Sequence, residues 1–485
     1  MANKSKKFYI TTSIPYTNAP PHIGFAFEAI QADVVARYRR HLGEDVYFLA
    51  GTDEHGLKTK KEAELAGKTP EAFADEMSQK FRDLKGILNL SNDDFIRTTD
   101  KKRHWPAVKK LWEAIDKNGD FYKKKYKGFY CPGCEAFKTE KEIIDGKCVI
   151  HQKPVEVVQE ENYFFRLSKY LPKIKEIIKK NKIKIIPESK KNEILGMIEN
   201  GLEDVSFSRV KEKYWGIPVP KDESQIIYVW GDALPNYISA IGYADNEKNF
   251  KKLWPADVHC IGKDIVKFHA LYWPAMLLSA GLALPKSIFV HGFINVDGQK
   301  MSKSLGNVVD PVELVKKYGV DAVRYYLLRE IPSTEDGDFS YEKFEQRYNS
   351  DLAGGIGNLL ARTIALVKKP NFKIKKPSSK IKKAVNATKK EYKSHLEEFK
   401  FNESLKCIWE LIAFCDKYIN EEKPWEAKEN FSQVVCDVLF ALENIADFLA
   451  PFLPQTSEKI KVVVKDKKSE PLFPRILTLH YIANE

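Results

Sequence analysis

The feature that most constrains this chain is an alternation of strand-like and helix-like segments that is interrupted once. Residues 8–118 begin it with the strand-like run FYITTS, a helical pattern from Gly24 to Leu42 and the apolar run DVYFLAGT. A Lys/Tyr/Cys-rich stretch follows Gly119, and the alternation resumes near IIYVWGDALPNYISAIGY and continues through VHCIG and SIFVHGF. Because parallel strands are joined by helical crossovers, this pattern predicts one parallel sheet whose two halves bracket an insertion.

Composition narrows the class of protein. The 485 residues exceed one hydrophobic core, and 43% hydrophobic content is typical of a folded chain. No apolar run reaches the roughly 20 residues that cross a bilayer, and the N-terminus lacks a signal-type segment, so we expect no membrane association and a cytoplasmic location. Seven cysteines, an odd number, argue against a disulfide framework. The net charge of +12 suits a polyanionic partner, but a lysine-rich composition gives the same charge without one.

Two distant segments suggest a nucleotide site. In SIPYTNAPPHIGF, His22 and Gly24 stand at the mouth of a helix, where glycine permits close approach and the helix N-terminus favours anions. In HGFINVDGQKMSKSLGN, Lys300 and Lys303 lie in a Gly/Ser/Asn loop that has no apolar periodicity. Ammonium groups on such a loop suit the charge of a triphosphate as it is cleaved.

These segments resemble the paired HIGH and KMSKS signatures of class I aminoacyl-tRNA synthetases. KMSKS is matched in full, whereas the first signature has Phe25 in place of the second histidine. The resemblance implies catalytic roles for His22, Lys300 and Lys303. It also implies an ATP site, which arrives with Mg²⁺, at the residues His22, Gly24, Gly262, Asp264, Lys300 and Lys303. Loss of one transition-state hydrogen-bond donor can cost ~10²–10³ in rate. Phe25 therefore leaves two outcomes open, slow activation or activation sustained by His22 and the lysines.

Further matches narrow the resemblance to the methionine-specific members of this class. They imply an L-methionine site at Ile14, Tyr16, Asp53, Trp230, Ala233, Leu234, Tyr237, Ile265 and His269. Asp53 would receive the α-ammonium group, with helix capping as the alternative role. Aromatic walls and a Tyr or His donor suit a thioether, although aromatic residues at helical spacing are more often core. Ile265 and His269, four apart, would share one helix face.

Cysteine spacing predicts a metal site in the insertion. Cys131 and Cys134 form one C-x₂-C pair, and Cys148 and His151 form a second pair of equal spacing. Two such turns make a closed Cys₃His set, which indicates one structural Zn²⁺ and not a catalytic one. Cysteines without a metal are the alternative. The resemblance matches the family's single-knuckle form, and the insertion is too short for the large editing domain of the leucine, isoleucine and valine enzymes.

The C-terminal part carries a helical pattern and candidate RNA-reading residues. Helical periodicity dominates from about Glu342, interrupted by the linker KIKKPSSKIKK. Asn358 and Arg362 share a helix face, and Trp425 follows a proline. The resemblance implies that these three read the anticodon, by edge contacts and stacking, although each alone is more typical of bundle packing. No appended tRNA-binding module is recognised, so we expect a monomer.

Together these observations predict an α/β fold. A Rossmann-type parallel-sheet catalytic domain carries a zinc-binding connective insertion, and an all-α anticodon-binding bundle follows. The predicted division is 1–118 and 213–290 for the sheet halves, 119–212 for the insertion, 291–349 for the lysine loop and stem-contact region, and 350–485 for the bundle. The expected activity is ATP-dependent formation of methionyl-adenylate, then transfer to tRNA(Met), both initiator and elongator. The alternatives are a small-molecule nucleotidyltransferase and a non-enzymatic tRNA-binding paralogue.

Overall fold

The computed structural model describes residues 6–131, 136–138, 140–150, 152–212, 214–301, 306–426, 429–468 and 471–476. The strands are β1 (Lys7–Thr11), β2 (Asp45–Thr52), β3 (Asp94–Arg97), β4 (Phe121–Cys131), β5 (Ala136–Lys138), β6 (Ile143–Ile144), β7 (Lys147–Cys148), β8 (Glu156–Phe165), β9 (Lys184–Ile186), β10 (Val205–Ser206), β11 (Ser208–Val210), β12 (Pro218–Val219), β13 (Asp222–Ile227), β14 (Val258–Gly262), β15 (Ser287–His291), β16 (Ile294–Val296), β17 (Gln299–Lys300) and β18 (Gly337–Phe339).

The α-helices of the described residues complete the inventory. They are α1 (Ile23–His41), α2 (Leu57–Leu65), α3 (Pro70–Ile87), α4 (His104–Lys117), α5 (Leu167–Lys179), α6 (Glu188–Glu199), α7 (Val229–Ala233), α8 (Asn236–Ser239), α9 (Glu247–Leu253), α10 (Trp273–Ser279), α11 (Pro311–Tyr318), α12 (Val320–Glu330), α13 (Tyr341–Arg347), α14 (Asn358–Val367), α15 (Ser379–Glu397), α16 (Phe401–Glu422), α17 (Phe431–Leu449) and α18 (Pro454–Asp466). Short 3₁₀ turns (Glu140–Glu142, Lys263–Ile265, Pro424–Glu426) and π-helical segments (Phe268–Tyr272, Tyr348–Gly357) join them.

A six-stranded sheet in the described residues has the order β3-β2-β1-β14-β15-β9. The pairs β3–β2, β2–β1, β1–β14 and β15–β9 are parallel. Strands β1, β2, β14 and β15 coincide with the apolar runs read from the sequence, and the parallel-sheet prediction is confirmed. The strand order changes direction between β1 and β14, because β2 and β3 continue on one side while the chain returns to the other. Ligands bind outside the carboxyl ends of strands at such a switch point.

The segment 119–212 contributes strands to four sheets, which include a two-stranded pair of β6 and β7 and, through β11, a three-stranded sheet with β13 and β12. Strands β10, β8, β4 and β5 form a separate four-stranded sheet, in which β4 and β8 pair antiparallel from Phe121↔Phe165 to Tyr130↔Glu156. Strand β9, however, joins the edge of the six-stranded sheet, where Ile185 pairs with Ile288. The segment is therefore not wholly an insertion, because a three-residue strand within it belongs to the main sheet. The predicted domain boundaries otherwise stay predictions.

The chain divides into two compact units. The first contains residues 1–21, 43–85 and 91–290, and so holds the six-stranded sheet and the antiparallel sheet. The second contains residues 22–42, 86–90 and 291–485. Helix α1 thus groups with the C-terminal helices, although it lies between two strands of the main sheet in sequence. No helix in the described part of the chain is long and apolar enough to cross a membrane.

Buried polar contacts explain this grouping of α1. The Arg324 guanidinium, fully buried, forms an ion pair with Asp33 of α1 at 2.8 Å and donates to the Phe452 carbonyl at 2.7 Å. One turn earlier, Glu28 contacts His291 Nε2 at 2.8 Å. Such buried charges are costly unless paired and hydrogen-bonded, so these contacts fix the helix in register against its neighbours in the unit.

Candidate functional site

The first unit brings Asp53 beside Ile14 and Tyr16. Tyr16 and Asp53 form a parallel bridge, in which the Asp53 amide donates to the Pro15 carbonyl at 2.8 Å. A Cβ placed on Gly51 would lie 3.0 Å from Ile14 Cγ2, so the turn after β1 packs against the end of β2. Asp53 is 3% exposed. Helix α2 begins at Leu57 with Gly56 as its N-cap, so helix capping does not explain the Asp53 carboxylate.

Trp230, Tyr237, Ile265 and His269 also come together in this unit. The Trp230 ring stacks on Phe268 with centroids 3.7 Å apart and stands edge-on to His269. His269 Nδ1 lies 3.1 Å from the Ile265 carbonyl, which can only accept, so Nδ1 carries the proton. His269 Nε2 is hydrogen-bonded to the Tyr237 hydroxyl at 2.8 Å. Ile265 and His269 were predicted to share one helix face, and the bond from His269 Nδ1 to the Ile265 carbonyl joins them. Ile265 ends a 3₁₀ turn, and His269 lies in the π-helical segment that follows.

The other predicted pocket residues lie on the same elements. Ala233 ends α7 and Leu234 follows it, and both are buried. Trp230 Nε1 is buried without a hydrogen-bond partner in the described residues, and Phe268, which sequence analysis did not single out, supplies its stacking surface. Phe268 directly precedes His269 in a helical pattern, and this position could have marked it as a pocket residue. Nothing in the local sequence predicts that its ring stacks on Trp230.

Gly262 and Asp264 occupy the switch point of the sheet. Gly262 is the last residue of β14, whose neighbour is β1. Asp264, which is exposed, follows in a 3₁₀ turn. Carboxyl ends of β1 and β14 carry the segments with Tyr16 and with Asp264, so residues predicted for methionine and for ribose meet at the edge where α/β sheets bind ligands.

In the second unit, His22 caps helix α1. Its backbone is extended, and Nδ1 accepts from the Gly24 amide at 3.1 Å. The ring proton is therefore on Nε2, which leaves that atom as a donor. Burial lowers the pKa of His22 to about 4, so the ring is neutral at physiological pH. A Cβ on Gly24 would lie 2.8 Å from His22 Cε1, so only glycine leaves room for this ring position.

The lysine loop adjoins this helix start within the same unit. The Ile23 amide donates to the Val309 carbonyl at 3.0 Å, and a Cβ on Gly24 would lie 3.8 Å from Met301 Cε. Lys300 is exposed on β17, with its ammonium 5.6 Å from the centre of the Phe293 ring. Lys303 lies outside the described residues. The start of helix α1 thus lies beside Met301 and Val309, some 280 residues later in the chain.

Phe25 packs directly against His22. The two ring centroids are 4.4 Å apart and the rings are tilted by 37°. The phenyl group therefore occupies space next to the imidazole and contributes to its burial, while it offers no hydrogen bond.

The knuckle residues are described in part. Cys131 and Cys148 are buried, and Cys134 and His151 lie outside the described residues. Cys131 pairs with Ala136 across the β4–β5 hairpin. Cys148 opens a second turn, in which the Gln152 amide donates to its carbonyl at 2.8 Å. No cluster of three possible metal ligands occurs among the residues that the structure describes.

The candidate anticodon residues lie in the helical part of the second unit. Arg362 donates to Asn420 Oδ1 at 2.7 Å, and its guanidinium lies 5.9 Å from the centre of the Trp425 ring. Asn358, four residues before Arg362 on α14, is exposed. The Trp425 side chain is 44% exposed, which is unusual for an indole and leaves a face open to solvent.

Comparison with known proteins covers nearly the whole chain. A family described as "tRNA synthetases class I (M)" matches residues 8–148 and 138–364, and "Anticodon-binding domain of tRNA ligase" matches residues 379–473. The chain is 46% identical to a methionine–tRNA ligase of Thermotoga maritima over 482 residues, which are 96% of this chain and 76% of that protein. It is 43% identical to a methionine–tRNA ligase of Brucella suis, over 94% of this chain and 91% of that one.

Two solved structures of a methionyl-tRNA synthetase have the same fold as this chain. Mycobacterium tuberculosis methionyl-tRNA synthetase in complex with methionyl-adenylate superposes with a TM-score of 0.91 at 37% identity, over 97% of this chain and 100% of that one. The apo form of the same enzyme gives 0.85 at 34% identity, over 98% and 99%. With a matching family model, relatives that are 43–46% identical over nearly all of this chain, and the same fold, this chain belongs to the family of class I methionyl-tRNA synthetases.

Proposed function

We propose that this chain is a methionine–tRNA ligase that forms methionyl-adenylate from L-methionine and ATP and then esterifies tRNA(Met). The observation that carries the proposal is the grouping of an acidic residue, Asp53, with Tyr16 at the sheet switch point, in the same unit as the Trp230–Tyr237–His269 cluster. The first group suits an α-ammonium and the second an uncharged, polarisable side chain.

The first step needs charge stabilisation more than covalent chemistry. The methionine carboxylate attacks the α-phosphate and pyrophosphate leaves. His22 acts as a neutral donor through Nε2, and Lys300 and Lys303 neutralise the triphosphate. Gly262 and Asp264 hold the ribose, and Gly24 lets the nucleotide approach the backbone. Mg²⁺ arrives with ATP and neutralises part of its charge.

In the second step the terminal ribose hydroxyl of the tRNA attacks the carbonyl of methionyl-adenylate, the bond from this carbonyl carbon to the phosphate oxygen breaks, and AMP and the hydroxyl proton leave, so no enzyme nucleophile is needed. Asn358, Arg362 and Trp425 read the anticodon, with Trp425 as a stacking platform and the other two as readers of base edges. Initiator and elongator tRNA share this anticodon, so both are proposed substrates. The protein acts as a monomer without a membrane partner.

The knuckle holds one structural Zn²⁺ through Cys131, Cys134, Cys148 and His151. The fit is supported by the burial of both described cysteines, Cys131 at the end of β4 and Cys148 at the end of β7, since buried thiols can bind one ion as thiolates. The metal would fix the two turns and takes no part in either chemical step. Metal analysis of purified protein should give one zinc per chain, and less in Cys148→Ser; zinc-free protein with an unchanged melting temperature would refute the site.

Methionine-dependent ATP–pyrophosphate exchange on the purified chain tests the proposal. Exchange with methionine, followed by charging of tRNA(Met), is the expected result. Exchange with a different acid and no tRNA requirement would favour a small-molecule nucleotidyltransferase. Absence of exchange with retained tRNA binding would favour the non-enzymatic paralogue, whose one supporting feature is Phe25.

A further inference from the structure

A buried cluster in the first unit joins two elements of the predicted methionine site. Asp232, fully buried on α7, contacts His55 Nδ1 through Oδ2 at 2.6 Å. Its other oxygen, Oδ1, contacts His104 Nε2 at 2.9 Å. His55 lies two residues after Asp53, and Asp232 lies two residues after Trp230. One carboxylate therefore links the strand end that presents Asp53 to the helix that presents Trp230.

The hydrogen bonds of His55 and His104 differ, and they define the role of each imidazole. The Ser239 hydroxyl donates to the Asn236 carbonyl at 3.1 Å, so it accepts from His104 Nδ1 at 2.9 Å. With Nε2 also facing the carboxylate, both nitrogens of His104 point at acceptors. Burial raises the pKa of Asp232, but the imidazoles of His55 and His104 outweigh burial and hold it below its usual value. The carboxylate is thus ionised and shared.

Among the described residues, the His55 ring makes a hydrogen bond through Nδ1 and none through Nε2. Its Nε2 is buried and has no partner in the described residues, while Trp215 packs edge-on at 4.8 Å between centroids. The bond to Asp232 therefore orients a ring that also packs against Trp215. Glu54, between Asp53 and His55, is held separately by two hydrogen bonds from Arg97, at 2.6 and 2.9 Å.

We infer that Asp232, through His55, is a positioning residue for methionine activation that sets the distance between the Asp53 carboxylate and the Trp230 wall. The inference rests on the proposed function and deepens it. Asp232 is fully buried and would act through His55, without contacting either substrate. It matters because hydrogen bonds to charged, buried groups are strong and directional, so losing one lets the Asp53 segment relax away from the ammonium.

The test compares two substitutions of His55. In His55→Asn the side-chain amide can take the place of Nδ1 and still donate to Asp232, whereas His55→Ala removes the bond. We expect His55→Ala to raise KM for methionine in pyrophosphate exchange about 10- to 100-fold with kcat and KM for ATP nearly unchanged, and His55→Asn to stay within about threefold of wild type. His41→Ala, at an exposed position, is the matched control.

Two inhibitors separate positioning from general loss of structure. Methioninol keeps the ammonium group, and the deamino analogue of methionine lacks it. His55→Ala should weaken methioninol about tenfold or more and leave the deamino analogue unchanged, because only Asp53 has moved. Asp232→Asn should weaken both, because it also releases the helix with Trp230. Equal KM values for His55→Ala and His55→Asn, or equal weakening of both inhibitors by His55→Ala, would overturn the inference.

Misfolding and failure of the proposed function remain distinguishable from failure of the inference. If His55→Ala does not fold, the same comparison is made at His104. In His104→Gln the side-chain amide can replace Nε2 toward Asp232, whereas His104→Ala removes this bond. Both variants are tested with the same two inhibitors. Wild-type protein without methionine-dependent exchange would refute the proposed function. Normal wild-type exchange together with unaltered KM in Asp232→Asn would refute only the positioning role.

Discussion

The residues proposed for methionine and those proposed for the triphosphate are held in different ways. Trp230, Tyr237 and His269 are buried, the Trp230 ring stands edge-on to His269, and His269 shares a hydrogen bond with the Tyr237 hydroxyl. Lys300 is exposed at the end of the short strand β17. The His22 side chain is held by the hydrogen bond with which it caps helix α1. A preformed cavity binds an apolar side chain, whereas mobile side chains stabilise charge that shifts between atoms during a reaction. Substitutions should therefore act differently in the two regions.

Asp53→Asn should produce the largest effect. It removes the buried negative charge that we propose receives the ammonium, and truncating one partner of a buried charge pair costs about 2–5 kcal/mol. We expect kcat/KM for methionine to fall about 10³-fold in pyrophosphate exchange, with KM for ATP little changed. Asp83→Asn, at an exposed site on α3, serves as the control. An equal rise in KM for ATP would break the separation between the two regions.

His22 variants should come next and act on kcat. Asparagine is a good N-cap and keeps the bond from Gly24, but it cannot supply the Nε2 donor. We expect both His22→Asn and His22→Ala to lower kcat of exchange about 10²-fold, and His22→Ala alone to lose about 1 kcal/mol of stability. A near-normal rate in His22→Asn would mean that capping, and not donation, is the role of His22.

The pH dependence sharpens this point. Because the pKa of His22 is lowered to about 4, the folded state binds fewer protons than the unfolded state between pH 4 and 6.5. The neutral ring therefore supports stability above pH 6.5, and this contribution declines as pH falls toward 4. Wild type should lose melting temperature across this window more steeply than His22→Asn. Exchange should show no titration of His22 near pH 6.5.

Trp425→Ala should affect only the tRNA. Stacking of a base on an aromatic ring is worth about 1–3 kcal/mol, so we expect KM for tRNA(Met) to rise about 5- to 100-fold while pyrophosphate exchange stays at the wild-type rate. Trp409→Phe, inside the bundle, is a control for packing, because the Trp409 indole donates to the Asp351 carbonyl at 3.1 Å. Reduced exchange in Trp425→Ala would show that this exposed ring influences activation.

Sequence predicted the parts of the fold and site that depend on local pattern. Strand β2 has the bounds of its apolar run, and α1 begins within one residue of the predicted start. Strand β9 was not recognised as part of the main sheet, because three residues in a lysine-rich segment carry no periodicity of their own. The Asp232 cluster also escaped prediction. Its members are separated by 128 and 177 residues, and only folding brings a lone aspartate to two lone histidines.

Phe25→His should have the smallest effect and most directly tests whether the triphosphate region is as loosely organised as proposed. It restores a possible donor beside His22, and since His22 already supplies one, we expect exchange to rise by up to about tenfold or to stay unchanged. Phe25→Leu, which keeps bulk without a donor, separates hydrogen bonding from packing. The phenyl ring lies 4.4 Å from the imidazole. If Phe25→His loses most of its activity, that contact orients His22, and the triphosphate region depends on fixed aromatic packing just as the methionine region does.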